Sequence, residues 1–322
     1  MPGQFPSGES ELDVYEVAII GAGPAGLTAA LVCGRQQRRV LLLDSGMPRN
    51  ARATELHMLV GRDGHSPARL RQTGREEVAR HPNVRIEDAT VRSAAAVPGG
   101  FRLELASGAE EARKLILATG QVDVLPDVPG LAERFGSSVF HCPYCHGFEV
   151  KDRSVVVLGG GYAHCMQALY LADRLTSDVV VCTHGATPEE SLLKRLARAG
   201  ITVHTEPLAG VDGGLGDLRL SFASGRVVRC EAVFHRTATR QHSDLAERLG
   251  CEMLPDGRVR VDAVQQTTVP GVYAAGDMAR QETLPEATAF LATGAADGLR
   301  AAIWADQELL NEDAEVAAAA EG

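Results

Sequence analysis

Short runs of branched apolar residues, each followed by glycines and then by a helical pattern, occur in two separate parts of the chain. The first part runs from the apolar stretch 14–20 through a glycine-rich turn and an apolar helix to a second apolar stretch at 38–44. The second part begins with SVVVL at 154–158 and repeats the same order as far as DVVVC at 178–182. Uninterrupted apolar runs of this length are typical of parallel strands that are covered on both faces. Each part therefore predicts a βαβ unit, and together they predict an α/β fold.

The remaining segments complete two domains. In chain order, the pattern predicts a helix at 67–81, an antiparallel meander of short strands over 84–120, a linker at 121–130, a helix at 188–199, strands at 201–205 and 231–235 around a glycine-rich hairpin, a strand and turn at 270–277, and a long helix at 286–310 followed by a frayed end. The first fold resumes after the second, which makes the second an insertion. We therefore predict two Rossmann-like dinucleotide-binding domains, one formed by 1–122 and 245–322 and the other by 123–244.

Charge and composition narrow the class of protein. The 322 residues include 32 Lys and Arg against 42 Asp and Glu, a net charge of −10. A net negative chain is a poor general partner for nucleic acid or for an anionic membrane, because both attract clustered cations. No apolar run approaches the ~20 residues of a membrane span, and residues 1–13 lack the pattern of a secretory signal. The expected compartment is the cytoplasm, with no nucleic-acid or membrane partner.

The cysteines favour redox chemistry over a structural role. There are seven, an odd number, and only Cys142 and Cys145 form a close pair. A disulfide framework is unusual in a cytosolic chain, and a structural zinc site, the other alternative, needs a second pair or histidines at finger spacing. A single C-x-x-C pair therefore predicts a reactive disulfide rather than a metal centre.

The first glycine-rich turn has the form of a dinucleotide site. In Gly21-x-Gly23-x-x-Gly26 the glycines permit a tight turn, the approach of a pyrophosphate, and close packing of helix on strand. The helix N-terminus then faces the phosphates. Asp44 ends the next strand, where an acid accepts a hydrogen bond from a ribose hydroxyl. The predicted contacts are Gly21, Ala22, Gly23, Pro24, Ala25, Gly26, Asp44 and Ser45; the alternative is a glycine-rich turn without a ligand.

Two further strings indicate a flavin. Ala118-Thr119-Gly120 closes the meander, and Ala275-Gly276-Asp277 follows a strand near the C-terminus. Small residues let the backbone approach a cofactor, and the aspartate can accept hydrogen bonds from a ribityl chain. Either string alone is only a tight turn, but in this order they match flavoproteins with two dinucleotide-binding domains. The predicted ligand of the first site is therefore FAD, bound in part by Ala118, Thr119, Gly120, Gly276 and Asp277.

The second glycine-rich turn departs from the motif. It reads Gly159-Gly160-Gly161-Tyr162-Ala163-His164, so a histidine stands where glycine or alanine is needed for helix packing. The following strand ends in Cys182-Thr183-His184, without an acid for the ribose of NAD or an arginine for the phosphate of NADP. The favoured interpretation is a domain that kept its fold and lost its ligand. A remodelled but working nicotinamide site is the alternative.

The C-x-x-C pair lies between the two motifs in the string HCPYCHGFE, residues 141–149. A C-x-x-C at a helix start lowers the pKa of a thiol, because the helix dipole and the second sulfur favour the thiolate. His146 follows the second sulfur directly and can exchange protons near neutral pH. We predict Cys142 and Cys145 as the redox pair, His146 as the base and His141 as the second choice. Two buried cysteines and a surface histidine are the alternatives.

CPYCHGFE between two glycine-rich units resembles the active-site string of the low-molecular-weight thioredoxin reductases. The resemblance covers residues 14–310, with three departures. His146 replaces an acidic residue, the second glycine motif is altered, and Pro285-Glu286-Ala287 replaces an Arg-Gln-Ala string. With these departures, the chain resembles the thioredoxin-reductase-like dithiol oxidases of pathways that make disulfide natural products such as gliotoxin, holomycin and romidepsin. In that family a C-x-x-C-His string is typical, NADPH is not the electron source, and a homodimer is expected.

The resemblance also implies further cofactor contacts and a reaction. The implied contacts are Arg49, Asn50 and His57 along the FAD, Val91 at the adenine, and Glu286 and Ala287 near the last helix. The implied reaction is oxidation of a small dithiol to an intramolecular disulfide, with mixed-disulfide formation at Cys142, a flavin-facing Cys145, and dioxygen reduced to hydrogen peroxide. The alternatives are an NADPH-dependent thioredoxin or disulfide reductase and a flavoprotein redox sensor acting through a partner.

Overall fold

The computed structural model describes residues 14–321. The segment 1–13, on which the expectation about a secretory signal rests, lies outside the described residues. Within the described part, the chain forms two compact units. None of the helices there combines the length and the apolar character that a membrane crossing needs.

The division of the chain follows the predicted insertion with two differences. The first unit contains the described residues up to Arg49, Ala68–Val122 and Arg240 onwards, and the second contains Asn50–Pro67 and Asp123–Thr239. The prediction placed 50–67 in the first domain and 240–244 in the second. The segment 50–67 joins the second unit because it bonds there: the guanidinium of Arg52 donates to the Ala132 carbonyl. The chain crosses between the units along two paired strands, Gln121–Val124 and Ala238–Gln241.

The first unit is built on a seven-stranded sheet. Its strands are Tyr15–Ile20, Val40–Asp44, Val84–Asp88, Ser93–Val97, Gly100–Glu104, Ala109–Leu117 and Val272–Ala274. Helices Pro24–Arg35, Pro67–Val78, Leu245–Arg248 and Leu291–Glu321, a 3-10 turn at Gly276–Met278, and a small parallel pair of strands, Val259–Val261 and Ala279–Gln281, complete it. The buried strands of this sheet carry the apolar runs from which they were predicted.

The predicted meander over 84–120 is wrong for its first strand. Val84–Asp88 pairs in parallel with Val40–Asp44, as the third strand of the dinucleotide fold. Only the three strands between Ser93 and Leu117 are antiparallel to one another. The short strand VRIED lies at the sheet edge and alternates apolar and charged residues over its first four positions, as a half-exposed antiparallel strand does. The predicted linker 121–130 likewise begins with a strand.

The last helix differs from its prediction at both ends. It begins at Leu291, five residues after the expected start at 286, and it continues to Glu321. The Thr293 hydroxyl accepts a hydrogen bond from the Phe290 amide at 3.0 Å, which fixes the start. Beyond residue 310, the expected frayed end is held by Arg113, which pairs with Asp313 at 2.7 Å.

The second unit contains a five-stranded parallel sheet and a three-stranded antiparallel sheet. The first consists, in spatial order, of Thr202–His204, Val179–Cys182, Val155–Leu158, Ala232–Phe234 and Val139–Phe140. The second consists of Leu208–Gly214, Asp217–Phe222 and Val227–Cys230. Its helices are Leu131–Arg134, Pro143–His146, Tyr162–Arg174 and Glu190–Arg198, with a 3-10 turn at Phe148–Val150. The two glycine-rich turns thus each join a parallel strand to a helix, as predicted.

Candidate active site

The first glycine-rich turn leaves open space where a phosphate would lie. A Cβ built on Gly21 would be 2.3 Å from the Ala118 carbonyl oxygen, and one on Gly26 would be 1.7 Å from the Gly21 carbonyl oxygen. Both positions therefore require glycine for packing. A Cβ on Gly23, in contrast, would meet no described atom within 4 Å. Gly23 also caps the helix Pro24–Arg35 without a side-chain hydrogen bond, so the first-turn amides can face an anion.

Asp44 stands where the sequence predicted a ribose contact. One of its carboxylate oxygens accepts hydrogen bonds from the amides of Ala22 at 3.4 Å and Gly46 at 3.2 Å. The other is 3.2 Å from the guanidinium of Arg75. These bonds fix the carboxylate beside the glycine turn and leave acceptor capacity on both oxygens. The neighbouring Ser45 is exposed.

The other predicted flavin contacts in the first unit gather at the start of the last helix. Arg49 pairs with Asp277 at 2.9 Å between Nη1 and Oδ2. A cavity of about 220 Å³ is lined by Gly276, Asp277 and Ala287 together with residues of the last helix. Glu286 and Ala287 precede the helix at Leu291, where the prediction had them begin it.

Three further predicted contacts of this unit are Thr119, Gly120 and Val91. The hydroxyl of Thr119 donates to the Met278 sulfur at 3.3 Å, and Gly120 has a positive φ of 70°. The side chain of Val91 is buried in the core, so its backbone is the part left for the predicted contact with adenine.

The second glycine-rich turn differs from the first by the side chain of His164. A Cβ built on Gly161, the counterpart of Gly23, would lie 3.4 Å from Nδ1 of His164. A Cβ built on Gly159 would lie 2.5 Å from Cδ2 of His164, and one on Gly160 would lie 2.9 Å from Cβ of Ala186. The His164 ring stacks on that of His235, with centroids 5.1 Å apart. Burial, with the neighbouring His235 second, lowers the pKa of His164. The imidazole pair and the loop after Cys182 therefore occupy the space around the glycines.

The strand end beside this turn offers no charge to a nucleotide ribose. The buried hydroxyl of Thr183 donates to the Ala186 carbonyl at the close of the loop. Nδ1 of His184 accepts the amide of Leu208 at 2.9 Å. The polar groups at this strand end thus bond within the protein.

Cys142 and Cys145 form a disulfide at a one-turn helix. Cys142 is the N-cap of Pro143–His146, and its sulfur accepts the Cys145 amide at 3.2 Å. Cys142 is buried and Cys145 is half-buried. A thiolate released at Cys142 would therefore keep a hydrogen-bond donor, which stabilises it as a leaving group or nucleophile.

His146 is a neutral base next to the disulfide in the chain. Its ring stacks on Phe140, with centroids 4.4 Å apart and planes inclined by 10°. Burial, followed by the charges of His141 and His57, lowers the pKa of His146 to about 4. At neutral pH the imidazole is therefore unprotonated and can accept a proton. His141 directly precedes Cys142, and its ring lies 6.0 Å from that of Phe135.

His57 belongs to the same unit as the disulfide helix. The prediction placed it, with Asn50, along the FAD, but both belong to the second unit. A compact loop holds His57, closed by a hydrogen bond from the Leu56 amide to the His65 carbonyl at 2.8 Å. Its Nε2 is 3.4 Å from Oε1 of Glu149. The sequence analysis missed Glu149 as a site residue, although it stands in the string HCPYCHGFE.

Comparison with known proteins now decides the family. The model of the pyridine nucleotide-disulphide oxidoreductases matches residues 15–295. The chain belongs to this family. It is 35% identical to a thioredoxin reductase of Claviceps purpurea, tcpT, over 83% of this chain and 88% of the relative. Among solved structures, HlmI superposes with a TM-score of 0.87 at 33% identity, covering 98% of both chains. A putative thioredoxin reductase from Bacillus anthracis superposes with a TM-score of 0.86 at 29% identity, over 93% and 99%.

Membership fixes the fold, the cofactor and the broad chemistry of this oxidoreductase. The architecture is that of the low-molecular-weight thioredoxin reductases, as predicted from the two motifs and the C-x-x-C string. The family binds FAD, and the first glycine turn fits this cofactor, because the space beside Gly23 is open and Asp44 stands at the adjacent strand end. The protein is a thioredoxin-reductase-like disulfide oxidoreductase.

Proposed function

We propose that this oxidoreductase is an FAD-dependent dithiol oxidase, which converts a small dithiol to an intramolecular disulfide with dioxygen as the final acceptor. The observation that carries the proposal is the second glycine-rich turn, where His164 replaces the third small residue, its ring lies beside Gly159 and Gly161, and the strand ends in Cys182 without an acid or an arginine for a nucleotide. Electrons must then enter at another group. The Cys142–Cys145 disulfide supplies that entry.

Two thiol–disulfide exchanges carry the proposed reaction. One substrate thiol loses its proton and attacks the Cys142 sulfur. The bond to Cys145 breaks, and Cys145 takes the electron pair as a thiolate. The second substrate thiol then attacks its own mixed disulfide, closes the ring and releases Cys142 as a thiolate. The dithiol is thereby oxidised by two electrons, and the protein disulfide is reduced to a dithiol.

The residues of the site suit these exchanges. The thiolate is the attacking species. Burial lowers the pKa of His146 to about 4, so its ring is unprotonated at neutral pH and has a nitrogen available for the thiol proton. The Cys145 amide stabilises Cys142 as it leaves. Ring closure is fast once the mixed disulfide forms, since the second thiol is then held close to it. Cys142 is buried, so the reaction requires this sulfur to become accessible to the substrate.

FAD, when bound, accepts two electrons from the protein dithiol and passes them to dioxygen, which yields hydrogen peroxide. The part of this chain is to hold the cofactor, through the amides that follow Gly23 and the carboxylate of Asp44. Re-formation of the Cys142–Cys145 bond then readies the site for the next dithiol.

The direct test is an aerobic assay of the purified yellow protein without NADPH. Reduced holomycin or dithiothreitol is added, and disulfide and hydrogen peroxide are measured together. Equal amounts of both are expected. Cys142→Ser and Cys145→Ser should abolish turnover with FAD retained, and His146→Ala should slow it by about 100-fold or more. Turnover only with NADPH would overturn the proposal in favour of an NADPH-dependent disulfide reductase.

A further inference from the structure

Three polar side chains of the second unit meet behind the disulfide helix. The rings of His57 and His146 approach edge to face, with centroids 6.0 Å apart and planes at 89°. Glu149 follows three residues after His146 and places Oε1 3.4 Å from Nε2 of His57. His57 is only 13% exposed at its side chain and Glu149 31%. The three side chains therefore form one partly buried cluster.

Each member of this cluster carries a buried polar atom without a hydrogen bond among residues 14–321. These atoms are Nε2 of His57, Nδ1 of His146 and Oε2 of Glu149. The 3.4 Å approach of His57 to Glu149 is at ion-pair distance but outside hydrogen-bond geometry. Buried polar groups are nearly always hydrogen-bonded, and exceptions call for an explanation. Three such atoms in one cluster indicate a path for proton transfer.

The loop around His57 holds its ring in place. Met58 adopts a positive φ of 64°, and its amide donates to Oδ1 of Asp63 at 2.7 Å. The other oxygen of Asp63 lies 3.5 Å from Nδ1 of His57, and Glu55 lies 3.7 Å from Nε2. A left-handed backbone at a non-glycine residue persists only where its surroundings enforce it. The loop is therefore built to present this imidazole between carboxylates.

We propose that His57 and Glu149 are positioning residues that take over the proton of the attacking thiol from His146. The thiol proton moves to Nδ1 of His146 as the sulfur attacks Cys142 and Cys145 leaves with the electron pair. The proton then passes to His57, where the carboxylate of Glu149 faces the charge, as the aspartate does in a Ser-His-Asp triad. His146 returns to its neutral form and serves the second exchange. This proposal about His57 and Glu149 rests on the proposed function in one respect only, namely that the attacking group is a thiol.

The geometry agrees with this direction of transfer. His146 is packed against Phe140 and is disfavoured as a cation by burial and by the charges of His141 and His57. His57, in contrast, is faced by the carboxylates of Glu55, Asp63 and Glu149 and by the ring of His146. The carboxylates of this cluster thus lie around the second imidazole, while the first is packed against an aromatic ring.

The test measures only the first exchange, in the absence of oxygen. FAD-loaded protein is mixed with dithiothreitol, quenched with acid and alkylated, and reduced Cys142 and Cys145 are counted by mass. His57→Gln and the isosteric Glu149→Gln should each slow reduction by at least about tenfold at pH 7. At pH about 9.5, above the ~8.5 of an ordinary thiol, the attacking sulfur is already ionised and the defect should vanish.

The control is His65→Gln, the same substitution at an exposed histidine of the same loop, and it should react at the wild-type rate at both pH values. A defect of equal size at both pH values would show a structural role and overturn the proposal, as would His57→Gln or Glu149→Gln behaving like His65→Gln. The measurement compares variants with wild type without dioxygen. Its failure is therefore distinct from a failure of the proposed function, which is detected as missing aerobic turnover of the wild-type protein.

Discussion

The two glycine-rich turns of this protein occupy the same place in similar folds and differ in what stands beside them. At the first, Gly26 packs against the Gly21 carbonyl and the space at Gly23 is open. At the second, His164 stands in the position of Gly26, its ring crowds Gly159, and its Nδ1 would lie 3.4 Å from a Cβ on Gly161, the counterpart of Gly23. The backbone motif survives in both. The two turns therefore differ in one residue of the motif and in the loop packed beside it, and the proposed function assigns a dinucleotide only to the first.

The strand ends next to these turns show the same difference. Asp44 closes its strand beside the first turn, fixed by the amides of Ala22 and Gly46. The corresponding strand of the second unit ends in Cys182, and the polar groups that follow bond within the protein. Under the proposed function, the second unit keeps the dinucleotide fold while its own side chains take up the polar contacts at the strand end.

The largest expected difference between the two turns comes from placing a valine at the equivalent glycine of each. Gly23→Val should expel FAD and abolish turnover, because the side chain enters the pyrophosphate space. Gly161→Val, the matched change in the second unit, should keep both, since the account assigns no ligand there. FAD content by absorbance and the aerobic dithiol rate are the measurements. Retained FAD in Gly23→Val, or lost turnover in folded Gly161→Val, would remove the distinction.

A second comparison concerns the third position of each motif. Gly26→Ala should lower the free energy of unfolding by about 3 kcal/mol, because its Cβ meets the Gly21 carbonyl oxygen. His164→Ala removes the stack on His235 and should cost about 1 kcal/mol. Denaturant unfolding of the two variants measures both. Equal losses would mean that the two helix–strand crossings are packed alike.

Acid should weaken the second unit before the first. Burial lowers the pKa values of His146, to about 4, and of His164 and His235 below the usual 6.5. Unfolding lets these histidines bind protons below pH 6.5. Their contribution to the free energy of unfolding is therefore present in full above pH 6.5 and is lost as the pH falls towards 4.

In the first unit, a hydrogen bond from Arg113 lowers the pKa of Asp313 from its usual 3.8. The contribution of this carboxylate to the free energy of unfolding is therefore lost only at a lower pH than that of the histidines. Amide exchange at pH 7 and pH 5 should show greater loss of protection in the strands of the second unit. Equal loss in both sheets would contradict this order.

The sequence predicted the parts of the molecule that depend on local pattern. The apolar runs marked the parallel strands, the glycines marked both turns, and the C-x-x-C string marked the disulfide. The edge strand Val84–Asp88 was taken for part of a meander, since alternation does not distinguish an exposed parallel edge from an antiparallel strand. His57 was placed with the wrong unit, because its partners, Glu149 and His146, are close in space but distant in sequence.

The central claim is that electrons enter this flavoprotein at Cys142–Cys145 and not from a nicotinamide nucleotide. Its most direct test is anaerobic reduction of the FAD-loaded protein, followed by the absorbance of the flavin. A small dithiol should bleach the flavin in proportion to the amount added, and NADPH or NADH should leave it oxidised. Bleaching by NADPH at a rate that supports turnover, with none by the dithiol, would contradict the account.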